Sequence, residues 1–260
     1  MDSAITLTGI GVLITRPQHQ SENLRCQIEQ AGGSAEVVPT IEIAEYRDPN
    51  RLKDVAARLD KFDIAIFISV NAVTQGLGWL DGNKIPWPSG ALVGAVGRST
   101  ADALNKHGVA VGLVPDGKYD SEGLLALPTM QNIAGKKVII FRGHGGRELL
   151  ANTLKARGAL VEYAEVYKRR KPNVRLSEQL DSSQRALINV IVTTSNSGLD
   201  NLVAITDPDI RNWLFNTSLI VLSQRGAERA KALGFCNTIA IAPQASDDAI
   251  MATIKTIIER

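Results

Sequence analysis

The sequence predicts an α/β fold: two similar flavodoxin-like or Rossmann-like parallel-sheet lobes joined by a two-stranded β-ladder hinge. Three observations predict it. Short apolar runs of strand length alternate with segments whose apolar residues recur at helical spacing, the pattern of a parallel sheet with crossover helices. The pattern is written twice, because Arg142 and Glu148 lie 126 residues after Arg16 and Glu22, and the register holds without gaps from Val12 through Gly108. Two extended, charged segments, 40–47 and 165–172, also match under this shift and read as linkers that pair with each other.

In chain order, the run at 12–15 (VLIT) is the first buried strand. Residues 21–31 follow as a helix with Leu24 and Ile28 on one face, ended by Gly32 in the left-handed conformation of a helix C-cap. The segment 40–47 (TIEIAEYR) is β-branched, aromatic and charged; an edge strand within the lobe is the alternative to a linker. Strands at 64–68 and 92–96 come next, and 138–141 (VIIF) opens the second copy. A helix at 149–157 then turns Leu150 and Leu154 inward and ends at Gly158. The segment 165–172 (EVYKRRKP) is the return linker, and runs at 190–193 and 219–222 are the remaining strands. Under the shift, FDIAIFISVNAV at 62–73 falls on INVIVTTSNSGL at 188–199, and ALVGAVGRSTADALNKHG at 91–108 falls on TSLIVLSQRGAERAKALG at 217–234.

A length of 260 residues favours two domains, and 44% apolar with 22% charged residues is enough to bury a sizeable core. A net charge of +2 gives no field for wrapping nucleic acid, though it permits a local basic cleft. Cys26 and Cys236 match no metal or redox spacing and read as reduced thiols in a reducing compartment. The opening MDSAITLTGIGVLITRP lacks the basic and apolar regions of a secretory signal, and no segment approaches the roughly 18 apolar residues of a membrane span. A cytoplasmic protein is expected.

Ligands of doubly wound sheets collect beyond the carboxyl ends of the strands, where helix N-termini present unpaired N–H groups. Both copies put polar residues there: Thr15, Arg16, Ser69, Asn71, Arg98, Ser99, Thr100, Arg142, Arg147, Thr193, Thr194, Ser195, Asn196, Ser197, Ser223 and Arg225. Each hydroxyl or amide alone reads equally well as ordinary N-capping. Arginine in four such turns, with Arg147 one turn into a helix, points instead to several carboxylates or phosphates held by forked donors. The glycines of RGHGG fit neither dinucleotide nor P-loop spacing. His19, His107 and His144 share no metal-ligand spacing; His144, inside a candidate turn, keeps a claim to proton transfer. Metalloprotease, esterase and paired-acid signatures are missing from the sequence. Tyr167 is the one phenol a two-lobed arrangement would bring to the cleft, with cross-strand packing as its other reading.

The order of motifs VLITRP, an amphipathic helix and an AGG turn, VVPTIEI, FDIAIFISVNAV, VGRSTADAL, KKVIIFRGHGGRELL, RGALVEYAEVYKRRKP, VIVTTSNSGLDNL and VLSQRGAERAKALGF resembles the uroporphyrinogen-III synthase family from end to end. The resemblance implies two lobes joined by a two-stranded ladder, with the active site between them and no cofactor. It implies that residues 1–39 join 173–260 in one lobe, that 46–164 form the other, and that 40–45 and 165–172 link them, where periodicity alone would cut near residue 130. The implied reaction closes the polycarboxylate hydroxymethylbilane to uroporphyrinogen III with inversion of ring D and loss of water, a task of positioning more than of covalent catalysis.

By the same resemblance, Tyr167 assists departure of the hydroxyl, Thr100 is a cleft threonine, and Ser69 and Asn71 are the polar end of the next strand. Arg16, Arg98, Arg142 and Arg147 would hold substrate carboxylates. Gly226 departs from the pattern at the position equivalent to Thr100, so Ser223 or Arg225 would have to substitute, with Thr194, Ser195 and Asn196 as the C-terminal contacts. A monomer is expected, without nucleic acid or membrane, and hydroxymethylbilane synthase is a candidate partner that would hand over an unstable substrate. The competing readings are a non-catalytic two-lobed protein that binds a small anion and a nucleotide-dependent Rossmann enzyme.

Overall fold

Strands that are apolar on both faces need helices above and below them, and GVLI and IAIF, fully buried along their length, are such strands. The computed structural model describes residues 6–45, 49–88 and 90–259; Tyr46 and Arg47, the end of the first linker segment, lie outside them. The strands are β1 (Gly11–Ile14), β2 (Ser34–Val37), β3 (Glu42–Glu45), β4 (Ile64–Phe67), β5 (Leu92–Ala95), β6 (Lys137–Gly143), β7 (Leu160–Arg170), β8 (Ile188–Val192), β9 (Ser218–Val221) and β10 (Ile239–Ile241). The helices are α1 (Glu22–Gln30), α2 (Pro49–Ala56), α3 (Val70–Gly82), α4 (Arg98–Lys106), α5 (Ser121–Ala126), α6 (Pro128–Gln131), α7 (Leu149–Ala156), α8 (Leu176–Gln179), α9 (Ser182–Leu187), α10 (Asn196–Ile205), α11 (Arg211–Asn216), α12 (Gln224–Leu233) and α13 (Asp247–Ile258).

Two compact units result: the described residues through Glu42 together with those from Arg170 onward, and Ile43–Arg169. The first contains a sheet of order β10-β9-β8-β1-β2 and the second a sheet of order β3-β7-β6-β4-β5. Strands β1, β2, β8, β9 and β10 pair in parallel, as do β4, β5, β6 and β7. β3 lies beside β7, and Arg170 at the end of β7 donates to both carboxylate oxygens of Glu42 at 2.9 and 2.6 Å. Of the segment 165–172, residues 165–170 belong to β7, which pairs with β6 as far as Tyr167 across one register shift.

Alternation divides each strand between two cores. In the first unit Leu13 and Ile191 enter one apolar cluster, and Val12, Ile14, Val190 and Val192 enter the other. In the second, Ala65, Phe67, Ile139 and Phe141 face one helix layer, and Ile64, Ile66, Val138 and Ile140 face the opposite one. Phe67 and Phe141 stack with centroids 4.4 Å apart. Both expected helix ends are found, with Gly32 at φ +85° and Gly158 at φ +86°. The result places the carboxyl ends of the parallel strands of each sheet along one edge, with the N-termini of α1, α10, α12 and α13 there in the first unit and of α3, α4 and α7 in the second.

Candidate active site

In the second unit β6 outruns its apolar stretch. After Phe141 it continues through Arg142, opposite Glu165, and then, past a register shift, Gly143, opposite Tyr167. The chain then turns through RGHGGRE into α7, with Gly145 at φ +73° and Gly146 at φ +102°. Arg142 is buried and organises this turn from within. Its Nε donates to the Gly143 carbonyl at 3.2 Å, its Nη2 to the Gly145 carbonyl, and its Nη1 pairs with Glu148 at 2.9 Å. The guanidinium also lies 4.5 Å from the centroid of the Tyr163 ring.

Glu148 accepts from the Tyr163 hydroxyl as well. That bond first, and Arg142 after it, hold the Glu148 carboxyl below its usual range. Burial first, and the bond to Glu148 second, push the Tyr163 phenol up to about 12, so Tyr163 is a hydrogen-bond donor at any ordinary pH. On the same strand Glu165 accepts from the Gly145 N–H at 3.4 Å and faces His144 Nδ1 at 3.3 Å and Arg51 Nη1 at 4.0 Å.

The turn closes over a cavity of about 490 Å³. Its walls are residues 142–147, Ile68, Ser121, Ile140, Leu150, Ala151 and, from β7, Tyr163, Tyr167 and Arg169. Tyr167 is buried, with its hydroxyl 3.2 Å from Ser69 Oγ. Ser69 itself caps α3 by accepting from the Ala72 N–H at 3.1 Å. The Tyr167 ring lies directly on Gly143, where an added Cβ would stand 2.7 Å from Cε2 and Cζ, so only glycine fits.

Of the predicted residues, the structure therefore brings Arg142, Arg147 and Tyr167 to one cavity, with Ser69 against Tyr167. Arg147 is exposed and, among the described residues, carries no ion pair. Asn71 and Thr100 are buried in the first turns of α3 and α4. Arg98 is exposed, its guanidinium 4.8 Å from the Tyr119 ring centroid. These three do not line the cavity.

The first unit is tighter. Arg16 pairs with Asp247 at the start of α13 at 2.8 Å, and Asp247 also accepts from Asn23 at 2.6 Å. Thr194, Ser195, Asn196 and Ser223 line a notch of about 20 Å³. Ser195 and Ser223 act as N-caps, accepting from the Gly198 and Gly226 N–H groups at 3.0 and 3.1 Å. Arg225 is exposed in the first turn of α12. The departure at Gly226 has a steric cause: a Cβ there would lie 3.2 Å from Val221 Cβ and 3.5 Å from Asn196 Oδ1.

Sequence reasoning missed Glu148, Tyr163, Glu165 and Arg169. A signal existed for Arg169, which follows Tyr167 at the two-residue period of a strand; Tyr163 and Glu165 precede the register shift in β7 and do not share that phase. Among the described residues no group of three or more His, Cys, Asp and Glu side chains is gathered as a metal site, and no helix is long and apolar enough to cross a membrane. Cys26 and Cys236 are both free and exposed.

Comparison with known proteins gives one consistent answer. A family model described as uroporphyrinogen-III synthase HemD matches residues 22–252. The uroporphyrinogen-III synthase of Escherichia coli K12 is 34% identical over 247 residues, covering 95% of this chain and all of that one. That of Salmonella typhimurium LT2 is 35% identical over 253 residues, with 95% and 100% covered. Among solved structures, uroporphyrinogen-III synthetase of Helicobacter pylori 26695 superposes with a TM-score of 0.60 at 17% identity, covering 95% of this chain and 99% of that one. A mutant uroporphyrinogen III synthase of Thermus thermophilus gives 0.59 at 16% identity, covering 96% and 100%, and so shares the fold.

Proposed function

The chain belongs to the uroporphyrinogen-III synthase family, and on that premise we propose that it closes hydroxymethylbilane to uroporphyrinogen III with inversion of ring D and loss of water. The end-to-end match, with no stretch of the relatives left uncovered, is the observation that carries this reading. Ring A loses its hydroxyl, which takes up a proton and departs as water, leaving an azafulvene. Ring D attacks through its substituted carbon to give a spiro intermediate, which fragments and recombines at the free carbon as the ring proton leaves. The pyrroles supply the electrons, so the protein's share is to fold a flexible chain until ring D meets ring A and to stabilise charge as it develops.

We assign the proton-donating contact to the departing hydroxyl to Tyr167. The assignment is supported by its place on the cavity wall and by Ser69, which at 3.2 Å can accept from the phenol or donate to it while staying fixed as a helix cap. Arg147 is suited to substrate carboxylates. Arg142 contributes by shaping that turn, since its donors are occupied by the Gly143 and Gly145 carbonyls and Glu148. In the first unit, Thr194, Ser195, Asn196, Ser223 and Arg225 offer hydroxyls, amides and one guanidinium for further carboxylates.

The test is incubation with freshly prepared hydroxymethylbilane and chromatographic separation of the product isomers after oxidation. The inverted type III isomer is expected to predominate. A product with ring D uninverted, equal to the control without protein, rejects the reading in favour of a non-catalytic binder.

A further inference from the structure

Resting on the proposed reaction, we infer that Arg169 is a second substrate-carboxylate anchor, standing on β7 two residues beyond Tyr167 and forming the same cavity wall. Along a strand, residues two apart share a face. Tyr167 and Arg169 accordingly line the 490 Å³ cavity together, and Tyr163, which lies before the register shift in β7, lines it as well. Arg170 points the other way and is committed to Glu42 through two bonds.

The electrostatics of that face leave Arg169 available. Glu165, an acid earlier on β7, is taken by the Gly145 N–H, His144 and Arg51. Glu148 is taken by Arg142 and Tyr163. Among the described residues, no carboxylate pairs with Arg169. A guanidinium lining a polar cavity without an acid of its own is suited to a carboxylate brought by a ligand, and its planar fork engages both oxygens at once. Its position next to Tyr167 along the strand adds a consequence: the carboxylate it holds belongs to the pyrrole whose hydroxyl Tyr167 assists. Arg169 thereby fixes the reacting ring against the phenol, and Arg147 on the turn serves a different carboxylate.

The experiment compares Arg169→Ala with Lys168→Ala, which removes the same charge from the adjacent, oppositely directed residue. Steady-state kinetics on hydroxymethylbilane should show KM raised about tenfold in the Arg169 variant, the loss expected for one charge-assisted pair, with kcat within about twofold of the parent and a shallower fall of kcat/KM with salt. Lys168→Ala should leave KM and kcat near the parent values. Unchanged KM in Arg169→Ala, or an equal rise in Lys168→Ala, overturns the assignment. So does a lower kcat at constant KM, which would mark a role in chemistry. Thermal melts of both variants should coincide with the parent; a lowered melt with the KM change confined to the less stable protein also overturns it. A parent that makes only the uninverted isomer overturns the proposed reaction and this assignment with it, whereas a parent that makes the type III isomer alongside an Arg169 variant of unchanged KM overturns this assignment alone.

Discussion

Gly143 and Tyr167 are coupled in a way that neither residue's chemistry announces. A methyl group on Gly143 would press on the ring from 2.7 Å, with the Tyr167 hydroxyl only 3.1 Å away. Gly143→Ala is therefore expected to lower stability by about 1–3 kcal/mol, the usual cost of overpacking, and to displace the phenol from Ser69. Urea melts and turnover of the same variant check both; a fully active, fully stable variant would show that the ring moves aside at no cost. Tyr167→Phe should keep the fold and lower kcat about 100-fold, within the range of a positioned proton donor. Circular dichroism with single-turnover rates decides, and unchanged turnover removes the phenol from the chemistry. At this scale the motif and family likeness pointed to Tyr167 and Arg147. They could not say that the donors of Arg142 are turned inward, because a sequence records a charge and not where its hydrogen bonds go.

At the scale of elements, the long β7 is the part whose length matters most. Its first half is an ordinary parallel partner of β6, and its second half carries Tyr167 and Arg169 past the last apolar residues of β6. Strands β2, β7 and β10 were hard to read because they are short of fully buried residues, and mixed runs such as SAEV lack the apolar signal of GVLI. The start of α8 is held in another way: the Ser177 N–H donates to Asp207 at 3.1 Å and Arg175 pairs with the same carboxylate. Hydrogen bonding by Ser177 first, and Arg175 after it, depress the Asp207 pKa from 3.8 to about 2. A carboxyl depressed in the folded state stabilises it above the unfolded pKa and loses that contribution as pH falls through the folded value. The melting temperature of the parent should exceed that of Asp207→Asn at neutral pH, and the gap should shrink between about pH 4 and pH 2. A gap independent of pH would mean that the charge contributes nothing.

At the scale of the whole molecule, each unit owns a sheet and two apolar clusters. The segment Ile43–Arg169 is continuous, so expressed alone it should melt cooperatively, as a domain with its own core does. A broad, non-cooperative transition by calorimetry would show that its core depends on the rest of the chain. The other unit is assembled from both ends of the sequence and has no such fragment.

The sequence by itself determined the buried strands, the helices with their glycine ends and the repetition after 126 residues, because each depends on the periodicity of neighbouring side chains. The tertiary structure alone decided which strands pair. Under the repeat, the order β2-β1-β8-β9 becomes β7-β6-β4-β5, so the four-strand cores of both sheets have one topology, yet each core takes two strands from one copy and two from the other. β1 lies beside β8 and β6 beside β4, although β4 and β8 present nearly the same apolar face. Local periodicity satisfies either partner equally, since it fixes what must be buried and not against which strand. The choice is made by backbone hydrogen bonds between residues far apart in the chain, and that choice also carries Tyr167 and Arg169 to the edge of β6 where the cavity forms.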